Sequence, residues 1–271
     1  MSELLKTIKG RKSVRTFDGN PVRTEDRERL EAYIPTITNP FGIPVRFVLL
    51  DAVQYGLSSP VLTGETLYVA GKVDKVPYAD VAFGFSFEKL VLFAWSMGIG
   101  TTWIGGTMKR ELFERAAGLS AGEIMPCVSP LGYPAKKPSV RETVMRRGIG
   151  ADSRLPADML FFDGAWDAGL PLSKQTEIAD LIEMVRWAPS AVNKQPWRIL
   201  VSGRDYHFYE KRDRGLSGEK TGDLQKIDVG IALCHFVMGL EERGESPEVV
   251  TDDPGFSVPA NVEYIATVRR P

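Results

Sequence analysis

Apolar residues recur along the chain at helical spacing or in short runs, and clusters of Pro, Gly and Asn separate them. Leu4, Leu5 and Ile8 predict a short helix that stops at Gly10, with an extended segment over 11–15 behind it. Thr24 reads as the N-cap of a second helix running to about Ile34, where Pro35 ends it. The turn cluster Asn39-Pro-Phe-Gly-Ile-Pro44 leads into a strand over 45–50, and a second short strand is predicted over 66–70. From 78 to 97 the apolar positions cover most of the helical circumference, which predicts a helix buried on nearly all sides. A surface helix over 111–117 and a single buried strand over 124–131 complete this half.

The second half follows the same order. Ile178, Leu181, Ile182 and Val185 give a helix over 176–187, which Pro189 stops because the residue before a proline is driven out of the α region. Strands over 197–201 and 205–209, a long apolar helix over 224–242 and a closing strand over 262–268 come next. Residues 146–154 have linker composition. The chain therefore divides into halves 1–148 and 149–271, with the segment from Pro40 to Leu49 matching that from Pro189 to Leu200.

Composition narrows the function more than the fold. Of 271 residues, 43% are hydrophobic and 25% charged, as in ordinary globular proteins, and the net charge of −1 gives no bulk attraction to nucleic acid or an anionic membrane. Cys127 and Cys234 are far apart and form no Cys-x-x-Cys, which fits a reduced, cytoplasmic compartment. Met-Ser-Glu-Leu-Leu-Lys is not expected to be a signal peptide, and the apolar stretch around 90–97 is too short to span a bilayer. His207 and His235 have no ligand spacing, so no metal site is expected, and no Ser-His-Asp or Cys-His set is visible. Catalysis by this chain would therefore belong to a cofactor.

Three stretches concentrate polar chemistry. Arg11, Lys12, Ser13 and Arg15 put three cations and a hydroxyl within five residues, and in an extended arm Arg11, Ser13 and Arg15 share a side. Such a set suits a phosphate, or else is a solvated basic arm. Gly98, Gly100, Gly105 and Gly106 flank Trp103-Ile104, where glycines would let a backbone approach a flat ligand. Pro189-Ser-Ala-Val-Asn-Lys-Gln-Pro-Trp197 is a polar turn between a buried helix and a buried strand.

This last stretch resembles the Pro-Ser-x-x-Asn-x-Gln-Pro-Trp motif of the FMN-dependent nitroreductases. Gly10-Arg-Lys-Ser-Val-Arg-Thr-Phe17 resembles that family's basic arm, and Met97-Gly-Ile-Gly-Thr-Thr-Trp-Ile-Gly-Gly106 its glycine-rich turn. Leu131-Gly-Tyr-Pro-Ala-Lys-Lys137 with Arg141 resembles its closing strand and basic tail. The usual order places the Asn motif second; here it comes last. The resemblance implies an α+β nitroreductase-like fold made of two fused halves, an internal pseudo-dimer that could work as a monomer.

It also implies roles. Arg11 and Ser13 would serve the phosphate and ribityl end of FMN, Lys137 and Arg141 would close on the phosphate, Arg15 would meet the pyrimidine edge, and Lys12 would belong to the same cofactor-binding arm. Trp103, Ile104, Gly105 and Gly106 would lie near the flavin ring, with the Gly105 backbone near N5. Pro189, Ser190, Ala191 and Asn193 would meet the polar edge, while Gln195 would hold the turn together. The implied activity is NAD(P)H-dependent, ping-pong hydride transfer to a nitroaromatic, quinone or similar small molecule. The alternatives are a non-catalytic FMN-binding protein for storage or sensing, and a structural protein without cofactor. The loop Gly56-Leu-Ser-Ser-Pro-Val-Leu-Thr-Gly64 departs from the family in carrying no cation, so the substrate class does not carry over.

Overall fold

The structure, a computed structural model, describes residues 1–170 and 177–271. It divides into two compact units, one of Gly10–Ala151 with Gly218–Gly222, the other of Met1–Lys9, Asp152–Ser217 and Asp223–Pro271.

The first unit is built on an antiparallel sheet. β1 (Arg46–Asp51) pairs with β2 (Leu67–Asp74), which pairs in turn with β3 (Glu123–Ile124) at one end and β4 (Val128–Leu131) at the other. The single strand predicted over 124–131 is thus two. Pro126 lies in the break, where it has no N–H to give a ladder. The long helix (Ala79–Ser96) packs so closely on β2 that a Cβ at Gly71 would sit 2.7 Å from Phe83 and 2.9 Å from Phe87. The predicted surface helix (Arg110–Ala116) drives Phe113 fully into the core, edge-on to Tyr68 at 4.9 Å. The helix Thr24–Tyr33 starts with Thr24 inside it. Arg23 holds the cap position without a side-chain cap bond, and a 3-10 turn over Ile34–Thr36 carries the chain past Pro35.

The largest correction in this unit concerns 146–154. Arg146 and Arg147 belong to a helix, Val140–Gly148, not to a linker. Ser139 caps it by accepting the Glu142 N–H at 3.1 Å, and Ser139-x-x-Glu142 is a capping-box spacing that the sequence displays.

The second unit carries a five-stranded sheet. Its members are β5 (Phe161–Asp163), β6 (Trp197–Ser202), β7 (Asp205–Lys211), β10 (Glu248–Val250) and β11 (Val262–Arg269), in the order β10-β11-β7-β6-β5. β8 (Ser217–Gly218) and β9 (Gly222–Asp223) form a separate two-stranded ribbon. All neighbours in the five-stranded sheet are antiparallel except β5 and β6. β5 and β10, three residues each, are too short to show a period in the sequence. The long helix is Leu224–Glu242, capped by Asp223 accepting from the Gln225 and Lys226 N–H groups. The preceding helix is Ala179–Arg186; the predicted start at Thr176 lies outside the described residues. In both units, then, a strand and its antiparallel neighbour are followed by a long buried helix and a closing strand antiparallel to the second.

The two helices of the second unit cross at Gly239, where a Cβ would lie 2.6 Å from Leu181 Cδ2 and from Met184 Sδ. Gly239→Leu is expected to cost about 1–3 kcal/mol by overpacking, read as a lower urea midpoint. An unchanged midpoint would mean that this crossing relaxes freely.

Candidate functional site

The arm folds as expected, extended and stitched at several points. Val14 N–H donates to Thr101 O at 2.9 Å, Thr63 N–H to Arg15 O at 3.0 Å, and Phe17 N–H to Thr63 O at 2.8 Å. Val14 lies against Gly100, where a Cβ would come within 2.8 Å of it. The arm thereby runs directly beside the glycine-rich turn, which is anchored on β4 through Ile104 and Val128.

The side chains then sort themselves. Arg11 is buried, Ser13 and Arg15 are half-buried, and Lys12 is exposed. The buried Arg11 Nε and Nη1 and the Arg15 Nη1 have no hydrogen-bond partner among the described residues. An unpaired buried donor costs roughly 1–3 kcal/mol, more for a charged group, so these atoms suit an anion with several acceptor oxygens. Burial pushes both guanidinium groups below the ordinary arginine value; Glu88 counters this at Arg11 and Glu142 at Arg15, while Arg146 adds to it at both. A phosphate fits this donor set: Arg11 and Arg15 would hold it, with Arg146 contributing positive potential.

The structure places the basic tail differently from the arm. Lys137 and Arg141 are exposed. The helix that carries Arg141 meets the arm through Glu142, which accepts from Arg15 N–H at 3.2 Å and Thr16 Oγ1 at 2.8 Å, with Arg146 one turn on. In the glycine-rich turn Trp103 and Gly105 are half-buried, Ile104 is buried and Gly106 exposed. Arg110 holds the Gly105 carbonyl at 2.6 Å and the Met125 carbonyl at 2.6 Å, fixing the backbone there.

The Pro189–Gln195 turn belongs to the other unit. Val192, Asn193 and Gln195 all have positive φ, at 44°, 57° and 51°. For the β-branched Val192 this is strained, by about 1–3 kcal/mol. The turn is held by named bonds. Ser190 Oγ accepts from Gln195 N–H at 2.9 Å, and Gln195 Oε1 accepts from Leu155 N–H at 2.9 Å, the holding role expected of Gln195. Asn193 Nδ2 donates to Ser153 O and Oγ, both at 3.2 Å. Pro189, Ser190, Ala191 and Asn193 are half-buried. Ala191 N–H donates to both oxygens of Asp228, at 3.1 and 3.0 Å. Burial pushes Asp228 well above the ordinary carboxylate value, against the pull of that N–H. Asp228, Glu88 and Glu142 escaped the sequence reading; an acid between apolar neighbours, as in Ile227-Asp-Val229, is the signal that could have found the first.

Among the described residues no group of three or more His, Cys, Asp or Glu is placed to hold a metal, and no helix is long and apolar enough to cross a membrane.

Comparison with solved structures gives a counterpart for this architecture. A "putative nitroreductase" of Thermotoga maritima aligns over 99% of this chain and 94% of its own, at 22% identity and a TM-score of 0.63. The fold is therefore nitroreductase-like, a mixed α and β architecture. A nitroreductase with bound FMN from Bacteroides fragilis aligns over 52% of this chain and 92% of its own, at 19% identity and a TM-score of 0.43. No curated protein matches the chain. A family model described as "Putative TM nitroreductase" matches residues 3–240. The chain belongs to that family of nitroreductase-type oxidoreductases.

Proposed function

We propose that this chain is an FMN-dependent oxidoreductase that takes hydride from NAD(P)H and passes it to a small nitroaromatic, quinone or similar acceptor. The observation that carries the reading is the buried Arg11 and half-buried Arg15, whose buried donor atoms have no partner among the described residues, beside a glycine-rich backbone turn. FMN bound there would supply hydride acceptance and donation. The chain's residues would do the rest. Arg11 and Arg15 would neutralise the anion, Ser13 would offer a hydroxyl, and the Gly105 backbone, held by Arg110, would present a fixed surface to a flat ring. Lys12, Lys137 and Arg141, being exposed, would add long-range attraction more than direct contact. Pro189, Ser190, Ala191 and Asn193 are proposed as the second contribution, one set per chain, with the halves acting as an internal pseudo-dimer.

The test is a purified chain titrated with FMN and then with NAD(P)H under anaerobic conditions. We expect one FMN per chain, because the sequence has one arm and one polar turn, and loss of the oxidised flavin colour on adding the nicotinamide. Two flavins per chain would overturn the single-set reading. Flavin that binds but stays oxidised would leave a binding protein, and a chain that binds none would end the flavin assignment.

A further inference from the structure

The turn at 189–195 holds a backbone conformation that side chains disfavour at Val192, Asn193 and Gln195, none of them a glycine. Such a turn persists where its surroundings over-determine it. Val192 is 57% exposed, so packing of its own side chain does not hold it there. Hydrogen bonds do. At the far end of the turn Ser190 Oγ accepts from Gln195 N–H at 2.9 Å, Gln195 Nε2 donates to Asn193 O at 3.2 Å, and Arg198 Nη1 donates to Gln195 O at 2.9 Å. The start is tied to the long helix Leu224–Glu242. Ala191, the residue before Val192, donates its N–H to both carboxyl oxygens of Asp228, at 3.1 and 3.0 Å. Asp228 is 4% exposed and lies one turn inside that helix, between the buried Ile227 and Val229. A carboxyl fixed in the core of this unit therefore grips the backbone just where the disfavoured conformation begins.

We propose that Asp228 is a positioning residue for the polar turn: by accepting the Ala191 N–H it holds Ser190 and Asn193 in the conformation that meets a ligand. The effect on the ligand rests on the flavin reading; the hold on the backbone does not. Substitution separates the acceptor from the packing. Asp228→Asn keeps the shape and an acceptor oxygen, and its neutral amide is a close substitute for a carboxyl that burial holds well above the ordinary carboxylate value. Asp228→Ala removes both acceptors and leaves a void. Asp228→Val removes both acceptors and fills most of the space, which keeps the comparison available should the void in D228A unfold the chain.

The experiment follows amide hydrogen exchange by NMR in the ligand-free full chain for wild type, D228N, D228A and D228V, and titrates the same proteins, N193A and N193A/D228V with FMN. We expect the Ala191 amide to exchange at least about tenfold faster in D228A and D228V than in wild type, and D228N to stay close to wild type. The amide of Phe236, buried in the same helix, is the control for general loosening. Ala191 exchange that is equal in wild type and D228V, or a Phe236 amide that loosens as much as Ala191, would reduce Asp228 to a packing residue and overturn the proposal. FMN should bind D228V about tenfold more weakly than wild type, and D228N about as tightly. In the N193A background D228V should cost little more, because both changes act on one turn. Losses that simply add would overturn the positioning role. A wild-type chain that binds no FMN would remove the flavin reading, and the exchange series would still decide whether Asp228 holds the turn.

Discussion

Arg11→Ala is expected to weaken FMN binding by roughly 1.5–3 kcal/mol, the range for a hydrogen bond to a charged group, or about ten- to a hundredfold in affinity. Arg11 is 7% exposed, and its Nε and Nη1 find no partner among the described residues. A buried guanidinium is poorly screened, so its loss should persist at moderate salt. Riboflavin, which lacks the phosphate, should bind wild type weakly and the variant no more weakly still. Lys12→Ala supplies the contrast. Lys12 is the adjacent cation but is exposed, and its removal should change affinity little, with that small change fading as salt is added. Fluorescence titration of both variants with both flavins checks this. Equal effects at Arg11 and Lys12 would mean that the arm acts as diffuse charge rather than as a built site.

What the sequence made legible was local. Charges clustered in five residues, prolines and glycines at turns, and apolar runs of helical length need no distant partner to be recognised. The helix Leu224–Glu242 falls where its apolar run predicts, because Asp223 caps one end and Gly244, at φ 77°, follows the other. The arm is extended because its own alternation and the turn residues around it leave it no helix to join. The nitroreductase-like fold followed from four such stretches together, and membership of the family follows from the match over residues 3–240.

What escaped was decided elsewhere in the chain. Arg146 read as linker because its value depends on Glu142, one helical turn earlier, docking on Arg15 and Thr16 more than 120 residues away. Glu88 and Asp228 are acids inside the apolar stretches of long helices, and nothing nearby says that Trp103 and Ala191 will meet them. β5 is three residues long and exists because β6 offers it a parallel edge. In each case the sequence held the residue, and a long-range partner gave it its role.

Another buried acid yields a pH effect that substitution can measure. Glu210 lies on β7, opposite Trp197 on β6 and Glu263 on β11. It is 0% exposed; among the described residues its Oε2 meets the Arg212 Nε at 3.5 Å, and its Oε1 has no partner. Burial, with Asp223 and Glu263 nearby, pushes its value up to about 7 from an ordinary 4.5, although Arg212 and Lys226 pull it down. The sign follows from proton counts. Between these two values the folded chain holds a proton on Glu210 that the unfolded chain has lost, so this group's contribution to stability falls as pH rises through that window. Below it both states are protonated and the group is neutral in effect. Glu210→Gln keeps the neutral shape at every pH. Its unfolding free energy should match wild type near pH 4, rise above it across the window, and exceed it by about 3 kcal/mol near pH 8, since each tenfold change in proton affinity is worth about 1.4 kcal/mol. Urea unfolding of both proteins at about pH 4, 6 and 8 measures the difference directly. A gap that is the same at all three values would show that Glu210 keeps its ordinary ionisation in the fold, with its charge met by Arg212 and Lys226 rather than suppressed by burial.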